Sequence, residues 1–210
     1  MKVRVYPITD TQISGLSHAE QVSLLADGGA TFVQLREKDL APFDFYNEAK
    51  AALSVARKRG VTLIINDRVD IALAVGAAGV HLGQDDLPPE AARKLLGDDA
   101  VIGYSTHSVE QAIAAAVLPV DYIALGPIFE TGTKANPDPV VGLEGLRAVR
   151  KAIGDVSLVA IGGITGANAA AVIDAGADSV AVISALLSGG RAVISDRFRT
   201  LDHLLSSRQT

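Results

Sequence analysis

The sequence predicts a (β/α)8 barrel, a closed ring of eight parallel strands surrounded by helices. Three observations carry the prediction. Apolar, β-branched stretches alternate eight times with stretches of helical periodicity, at about 26 residues per unit over 210 residues. The composition is 49% hydrophobic but only 4% aromatic, with no Trp, so the core must be built from Val, Ile, Leu and Ala, as buried parallel strands require. The 20 Gly residues fall between apolar runs with no three-residue period, which excludes collagen and points to many tight strand-to-helix turns.

The units follow one another without interruption. Residues 3–9 are apolar and β-branched, and 17–28 place Val22, Leu24 and Leu25 at helical spacing before closing on Gly28-Gly29. The alternation then runs strand 31–36 and helix 42–59, strand 61–66 and helix 69–75, strand 79–82 and helix 89–96. It continues with strand 101–104 and helix 109–117, strand 122–125 and helix 143–153, strand 158–161 and helix 167–175, strand 179–183 and helix 192–205. Barrels of this kind usually have about 250 residues, so the loops must be short. A doubly wound open sheet is the competing architecture, but it needs only five or six strands and usually a Gly-rich turn after the first. Ile8-Thr9-Asp10 is followed by no such turn. No linker, low-complexity segment or charge run divides the chain, so residues 1–210 read as a single barrel domain.

With 19 Lys and Arg against 24 Asp and Glu, the formal net charge is −5 and no basic block exists, which argues against general nucleic-acid binding. The absence of Cys excludes disulfides, thiolate metal sites and thiol catalysis. No stretch reads as a signal peptide or reaches about 18 apolar residues. The expectation is a cytoplasmic protein with small-molecule partners and no membrane, compatible with a homo-oligomer.

Barrel enzymes place their sites at the carboxyl ends of the strands, so the polar residues there are the ones to read. Strand two ends Gln34-Leu35-Arg36-Glu37-Lys38, where period-two alternation turns Gln34 and Arg36 to the inside and Leu35 to the helices. Arg36 needs an anionic partner, either Glu37 or another strand-end acid, or a bound phosphate; Lys38 adds a second cation. Strand three ends Asn66-Asp67-Arg68 and strand four ends Gly83-Gln84-Asp85-Asp86. Carboxylates on adjacent strands can converge on one hard cation such as Mg²⁺, with Asp67 and Asp86 the favoured pair. Alternatively Asp85 or Asp86 merely caps the helix beginning at Pro88-Pro89.

Strand five ends Tyr104-Ser105-Thr106-His107-Ser108, with Ser105 able to hydrogen-bond a ring nitrogen or amine and Ser108 placed to cap the next helix. His107 is either a general base or a hydrogen-bonding spacer. His18 and His203 read as helix surface, and His81 as a barrel residue with its bonds satisfied. Thr131, Gly132, Thr133 and Lys134 form an oxyanion grip on the longest loop, beside an acid, Glu130, expected to point to solvent. Gly162-Gly163 after strand seven and Ile183-Ser184 after strand eight are placed for the phosphate cradle that recurs in barrel enzymes.

These segments, in this order and spanning nearly the whole chain, resemble the thiamine-phosphate synthase family, also called thiamine-phosphate pyrophosphorylase. The resemblance implies that a hydroxymethylpyrimidine diphosphate is joined to a thiazole phosphate or its carboxylated form, releasing diphosphate, and CO₂ from the latter. It further implies Mg²⁺ on Asp67 and Asp86, and the pyrimidine diphosphate on Gln34, Leu35, Arg36, Glu37, Lys38, Asn66, Ser105 and Lys134. Thr131, Gly132, Thr133, Gly163, Ile183 and Ser184 would hold the thiazole phosphate. Lys134, Arg36, Lys38 and Ser105 would carry the catalysis.

Two alternatives differ in what they require. A thiazole tautomerase of the same barrel would use His107 as base and has no use for Asp67, Asp86, Lys38 or Lys134. A catalytically silent barrel would bind a phosphate ligand without turnover. An aldolase or epimerase would need a Lys within a strand, which this chain lacks.

Overall fold

The computed structural model describes residues 3–132 and 138–207. Eight strands, β1 (Val5–Thr9), β2 (Phe32–Leu35), β3 (Thr62–Asn66), β4 (Gly79–Leu82), β5 (Val101–Thr106), β6 (Tyr122–Leu125), β7 (Leu158–Ile161) and β8 (Ser179–Val182), form a closed parallel barrel in sequence order. The register closes where Val5 of β1 pairs with Val180 of β8. The (β/α)8 architecture read from the sequence is therefore the observed one.

Ten helices surround it among the described residues: α1 (Thr11–Ser14), α2 (His18–Asp27), α3 (Pro42–Arg59), α4 (Val69–Val75), α5 (Pro89–Leu96), α6 (Val109–Ala115), α7 (Gly142–Ile153), α8 (Ala169–Asp174), α9 (Ser184–Leu187) and α10 (Ile194–Ser206). The one-turn helices α1 and α9 are additions to the sequence reading, too short to show a period. Asp10 caps α1, accepting from the Ile13 amide at 3.1 Å. Ser17 and Glu20 form a reciprocal capping box on α2, and Ser108 caps α6 as its sequence position suggested.

Alternation along the strands separates two apolar layers. Val33 and Leu35 of β2 join Leu63, Ile65, Val80 and Leu82 in the large core between barrel and helices. Tyr6, Ile8, Tyr122, Ala124, Val159 and Ala181 fill the barrel interior. Two glycines within strands make this filling possible. A Cβ on Gly103 would lie 2.1 Å from Tyr122 Cζ, and one on Gly79 would lie 1.9 Å from the Val101 carbonyl oxygen. These two glycines, which the sequence places within strands, serve close approach inside the barrel, a use beyond the turns to which the glycine count points.

No helix of the described residues is long and apolar enough to cross a membrane.

Candidate active site

All eight strands contribute to a cavity of about 510 Å³ at their carboxyl ends, within the range of about 300–1,000 Å³ of small-molecule sites. Its floor is a chain of buried polar groups. Gln34 Nε2 donates to the Tyr6 hydroxyl at 3.0 Å, Tyr6 and Tyr122 share a hydrogen bond of 2.9 Å, and Tyr122 meets His81 Nδ1 at 3.0 Å. His81 Nε2 reaches Ser105 Oγ at 2.9 Å. With Gln34 as donor, every proton in the chain finds an acceptor when Tyr6 donates to Tyr122, Tyr122 to Nδ1, and Nε2–H to Ser105. That sense leaves the Ser105 hydroxyl proton for the cavity. Burial drives the His81 imidazolium down to about 4, against the attraction of Asp67, so the ring is neutral near pH 7. Burial pushes both phenols up, which keeps them protonated.

The cations of β2 meet carboxylates at the rim. Arg36 Nη1 donates to Asp10 Oδ2 at 2.8 Å, so the strand-end acid of β1, rather than Glu37, is its protein partner. Lys38 Nζ bonds Asp67 Oδ2 while remaining half exposed. Both cations line the cavity, as do Gln34, Asn66, Asp67, Asp86 and Ser105.

Two residues expected to touch substrate do not face it. The Leu35 side chain is fully buried between barrel and helices, which leaves its backbone alone for any contact. The Glu37 carboxylate turns inward, to His18 Nε2 at 3.2 Å and to the amides of Lys38 and Asp39, each at 2.8 Å. His18 is correspondingly 0% exposed, against the expectation of a surface histidine. Its place at the first position of α2 points it at the barrel rim, where Thr9 Oγ1 and Glu37 satisfy both ring nitrogens.

Asp67 is the only non-glycine residue with positive φ among the described residues, at 61°. The turn is closed by a bond of 2.8 Å from the Arg68 amide to the Asn66 carbonyl. Such strain, about 1–3 kcal/mol, persists where surrounding structure enforces it, commonly at functional sites. Asp67 and Asp86 both line the cavity, and their carboxylates are near enough to interact. Burial, and then the neighbouring Asp67 charge, raises the Asp86 carboxyl above its ordinary value, against the Gly83 amide and Lys38. Asp86 Oδ2 accepts from that amide at 2.7 Å, and α5 begins without a side-chain cap, so neither Asp85 nor Asp86 serves as its cap.

Among the described residues no three His, Asp or Glu side chains gather into a metal-binding cluster. Two crowded carboxylates of adjacent strands nevertheless suit Mg²⁺, which takes one or two carboxylates and fills its remaining positions with water and phosphate oxygens. Beside them, the buried Asn66 Nδ2 has no hydrogen-bond partner. An orphaned donor on a cavity wall is satisfied most simply by a ligand acceptor.

The far side of the mouth is built mainly from backbone. Gly162 and Gly163 line the cavity at φ 100° and 64°, and a Cβ on Gly163 would meet the Glu130 carbonyl oxygen at 2.5 Å. Ile183 and Ser184 line it at the start of α9. Thr131 also lines it, whereas Gly132 and Glu130 are exposed, the latter as expected. Thr133 and Lys134 lie outside the described residues. His107 Nδ1 donates to the Gly126 carbonyl at 2.6 Å and Nε2 faces Asp138 Oδ2 at 3.5 Å, so this ring bridges β5 to the loop after β6, the geometry of a spacer.

The thiamine monophosphate synthase family matches residues 5–186. A thiamine-phosphate synthase of Clostridium novyi is 50% identical over 185 residues, 88% of this chain and 90% of the relative. One of Koribacter versatilis is 47% identical over 205 residues, 94% and 95% of the two chains. The solved thiamine phosphate pyrophosphorylase of Pyrococcus furiosus superposes with a TM-score of 0.88 at 33% identity, covering 100% of this chain and 98% of that one. Barrel, strand-end residues and relatives agree: the chain belongs to the thiamine monophosphate synthase family of transferases.

Proposed function

We propose that this enzyme joins 4-amino-2-methyl-5-(diphosphooxymethyl)pyrimidine to a thiazole phosphate in a Mg²⁺-dependent reaction that yields thiamine phosphate and diphosphate. The carboxylated thiazole would lose CO₂ as well. The observation that carries the reading is the gathering of two cations, two crowded carboxylates and an orphaned amide donor on one side of one cavity.

Departure of diphosphate from an electron-rich aminopyrimidine leaves a stabilised methylene cation, which the thiazole nitrogen captures. No protein nucleophile is required. The enzyme's part is positioning and charge stabilisation. Gln34, Asn66 and Ser105 offer directional hydrogen bonds to the pyrimidine from the cavity floor. Arg36 and Lys38 place positive charge at the rim where negative charge grows on the leaving group, with Lys134 assigned to the same task by the family resemblance. Asp10 holds Arg36 in place. Asp67 and Asp86 would hold Mg²⁺, which supplies further neutralisation of the diphosphate when bound. The thiazole phosphate is assigned to the opposite side, on Thr131, Gly132 and Thr133 and on the backbone of Gly163, Ile183 and Ser184.

Asp67→Ala tests the assignment. Turnover of the purified, folded variant is expected to fall by about 10²-fold or more, the scale of losing a preorganised charge-stabilising arrangement. Near-normal turnover would overturn the role given to the carboxylate pair.

A further inference from the structure

The turn after β2 carries both rim cations, yet it is a surface segment, and Lys38 is a flexible side chain with 48% of its surface exposed. Something must fix its backbone if its charge is to be delivered to one place. The groups that do so are buried behind it. Glu37 Oε1 accepts from the Lys38 and Asp39 amides, each at 2.8 Å. Oε2 meets His18 Nε2 at 3.2 Å, and the Thr11 hydroxyl approaches it at 3.4 Å. The Glu37 side chain is only 5% exposed and that of His18 is 0% exposed.

The protons in this chain run one way. An ionised carboxylate only accepts, so His18 Nε2 must carry the hydrogen that faces Glu37. Nδ1 of the neutral ring then accepts, and the Thr9 hydroxyl lies 2.8 Å from it against 3.3 Å from the Gln34 carbonyl. Thr9 donates to His18, His18 to Glu37, and Glu37 gathers the two amides of the turn. Thr9 ends β1 and is followed directly by Asp10, the partner of Arg36. The end of one strand thus anchors both cations of the next.

We propose that His18 and Glu37 form a buried positioning pair that fixes the turn after β2 and so aims Lys38 at the anionic substrate. Neither residue touches substrate. The proposal deepens the reading above and rests on its assignment of Lys38 to the diphosphate.

Glu37→Gln and Glu37→Ala separate positioning from charge. The carboxamide oxygen of Gln can still accept from both amides, and its NH₂ can donate to His18 once the neutral ring adopts its other tautomer. Ala can do neither. The measurement is calorimetric binding of inorganic diphosphate, with and without Mg²⁺, to the full chain and to Glu37→Gln, Glu37→Ala and Lys38→Ala. Glu37→Ala and Lys38→Ala should each weaken binding by about tenfold or more, the scale of a misplaced contact group. Glu37→Gln should restore it. In turnover assays, Glu37→Ala should raise KM for the pyrimidine diphosphate more than it lowers kcat.

Wild-type binding by Glu37→Ala overturns the proposal, and so does binding by Glu37→Gln as weak as that of Glu37→Ala, which would mean that the charge itself is used. Undiminished binding by Lys38→Ala overturns the assignment beneath it and the proposal with it. A measurement on the unaltered protein stands whether or not the Ala variant folds. The Lys38 and Asp39 amides belong to exposed residues but should exchange hydrogen slowly, and exchange at the rate of an unstructured chain would overturn the proposal.

Discussion

Acidification from pH 7 to pH 5 should destabilise this protein chiefly through His81. The imidazole is fully buried, bonded at both nitrogens, and driven to about 4 from an ordinary value of 6.5. A histidine whose folded value is depressed contributes stability that is complete above its unfolded value and is lost as the pH falls towards the folded one. The whole difference of about 2.5 units corresponds to about 3 kcal/mol at 1.36 kcal/mol per unit, and about 2 kcal/mol of it is gone by pH 5. His18, also lowered by burial against the pull of Glu37, Glu48 and Asp10, adds a contribution of the same sign. The carboxylates, including Asp86, which is raised and therefore of opposite sign, are common to both proteins compared. The assay is urea unfolding at pH 7, 6 and 5 for the unaltered chain and for His81→Gln. The variant starts from lower stability but should lose about 2 kcal/mol less across the interval. Parallel losses in the two proteins would refute the buried, neutral imidazole.

Other outcomes follow from the same geometry. Tyr122→Phe removes the donor to His81 Nδ1 and the acceptor of the Tyr6 proton, and should cost about 1–3 kcal/mol in denaturant unfolding for each buried group stranded. Gly103→Ala forces a Cβ into the Tyr122 ring and should destabilise by about 1–3 kcal/mol or more, whereas Gly166→Ala, with no atom within 4 Å of the added carbon, should leave the melting temperature nearly unchanged. On the role that the family resemblance gives it, rather than on any described geometry, Lys134→Ala should lower turnover by about 10²-fold with folding intact, as measured by circular dichroism alongside initial rates.

Much of the fold was readable because its two periods are strong. Val33 and Leu35 face the helices while Gln34 faces the cavity, and that alternation alone placed Gln34 and Arg36 on the cavity side. Helices of one turn, α1 and α9, left no such trace. Residues lining the cavity were readable where chemistry stands out at a strand end, as with Asp67, Asp86 and Lys38. Pairings between strands were not, because Arg36 meets Asp10 through the register of β1 against β2, which sets Thr9 beside Leu35, rather than through any local spacing. The polar floor was hidden for a related reason. Tyr6 and Tyr122 look like ordinary core aromatics until the register sets their hydroxyls against each other and against His81. His18 was misread because the first residue of a capped helix usually faces solvent; the partners that bury it, Thr9 and Glu37, come from two other segments.

The account stands most directly on one assay. Purified protein is incubated with the pyrimidine diphosphate, the thiazole phosphate and Mg²⁺, and both products are followed, with a parallel reaction in excess EDTA. The account predicts thiamine phosphate and diphosphate in equal amounts, and neither in EDTA. Folded protein that forms no thiamine phosphate would contradict the proposed reaction, and undiminished product in EDTA would contradict the place given to Asp67 and Asp86.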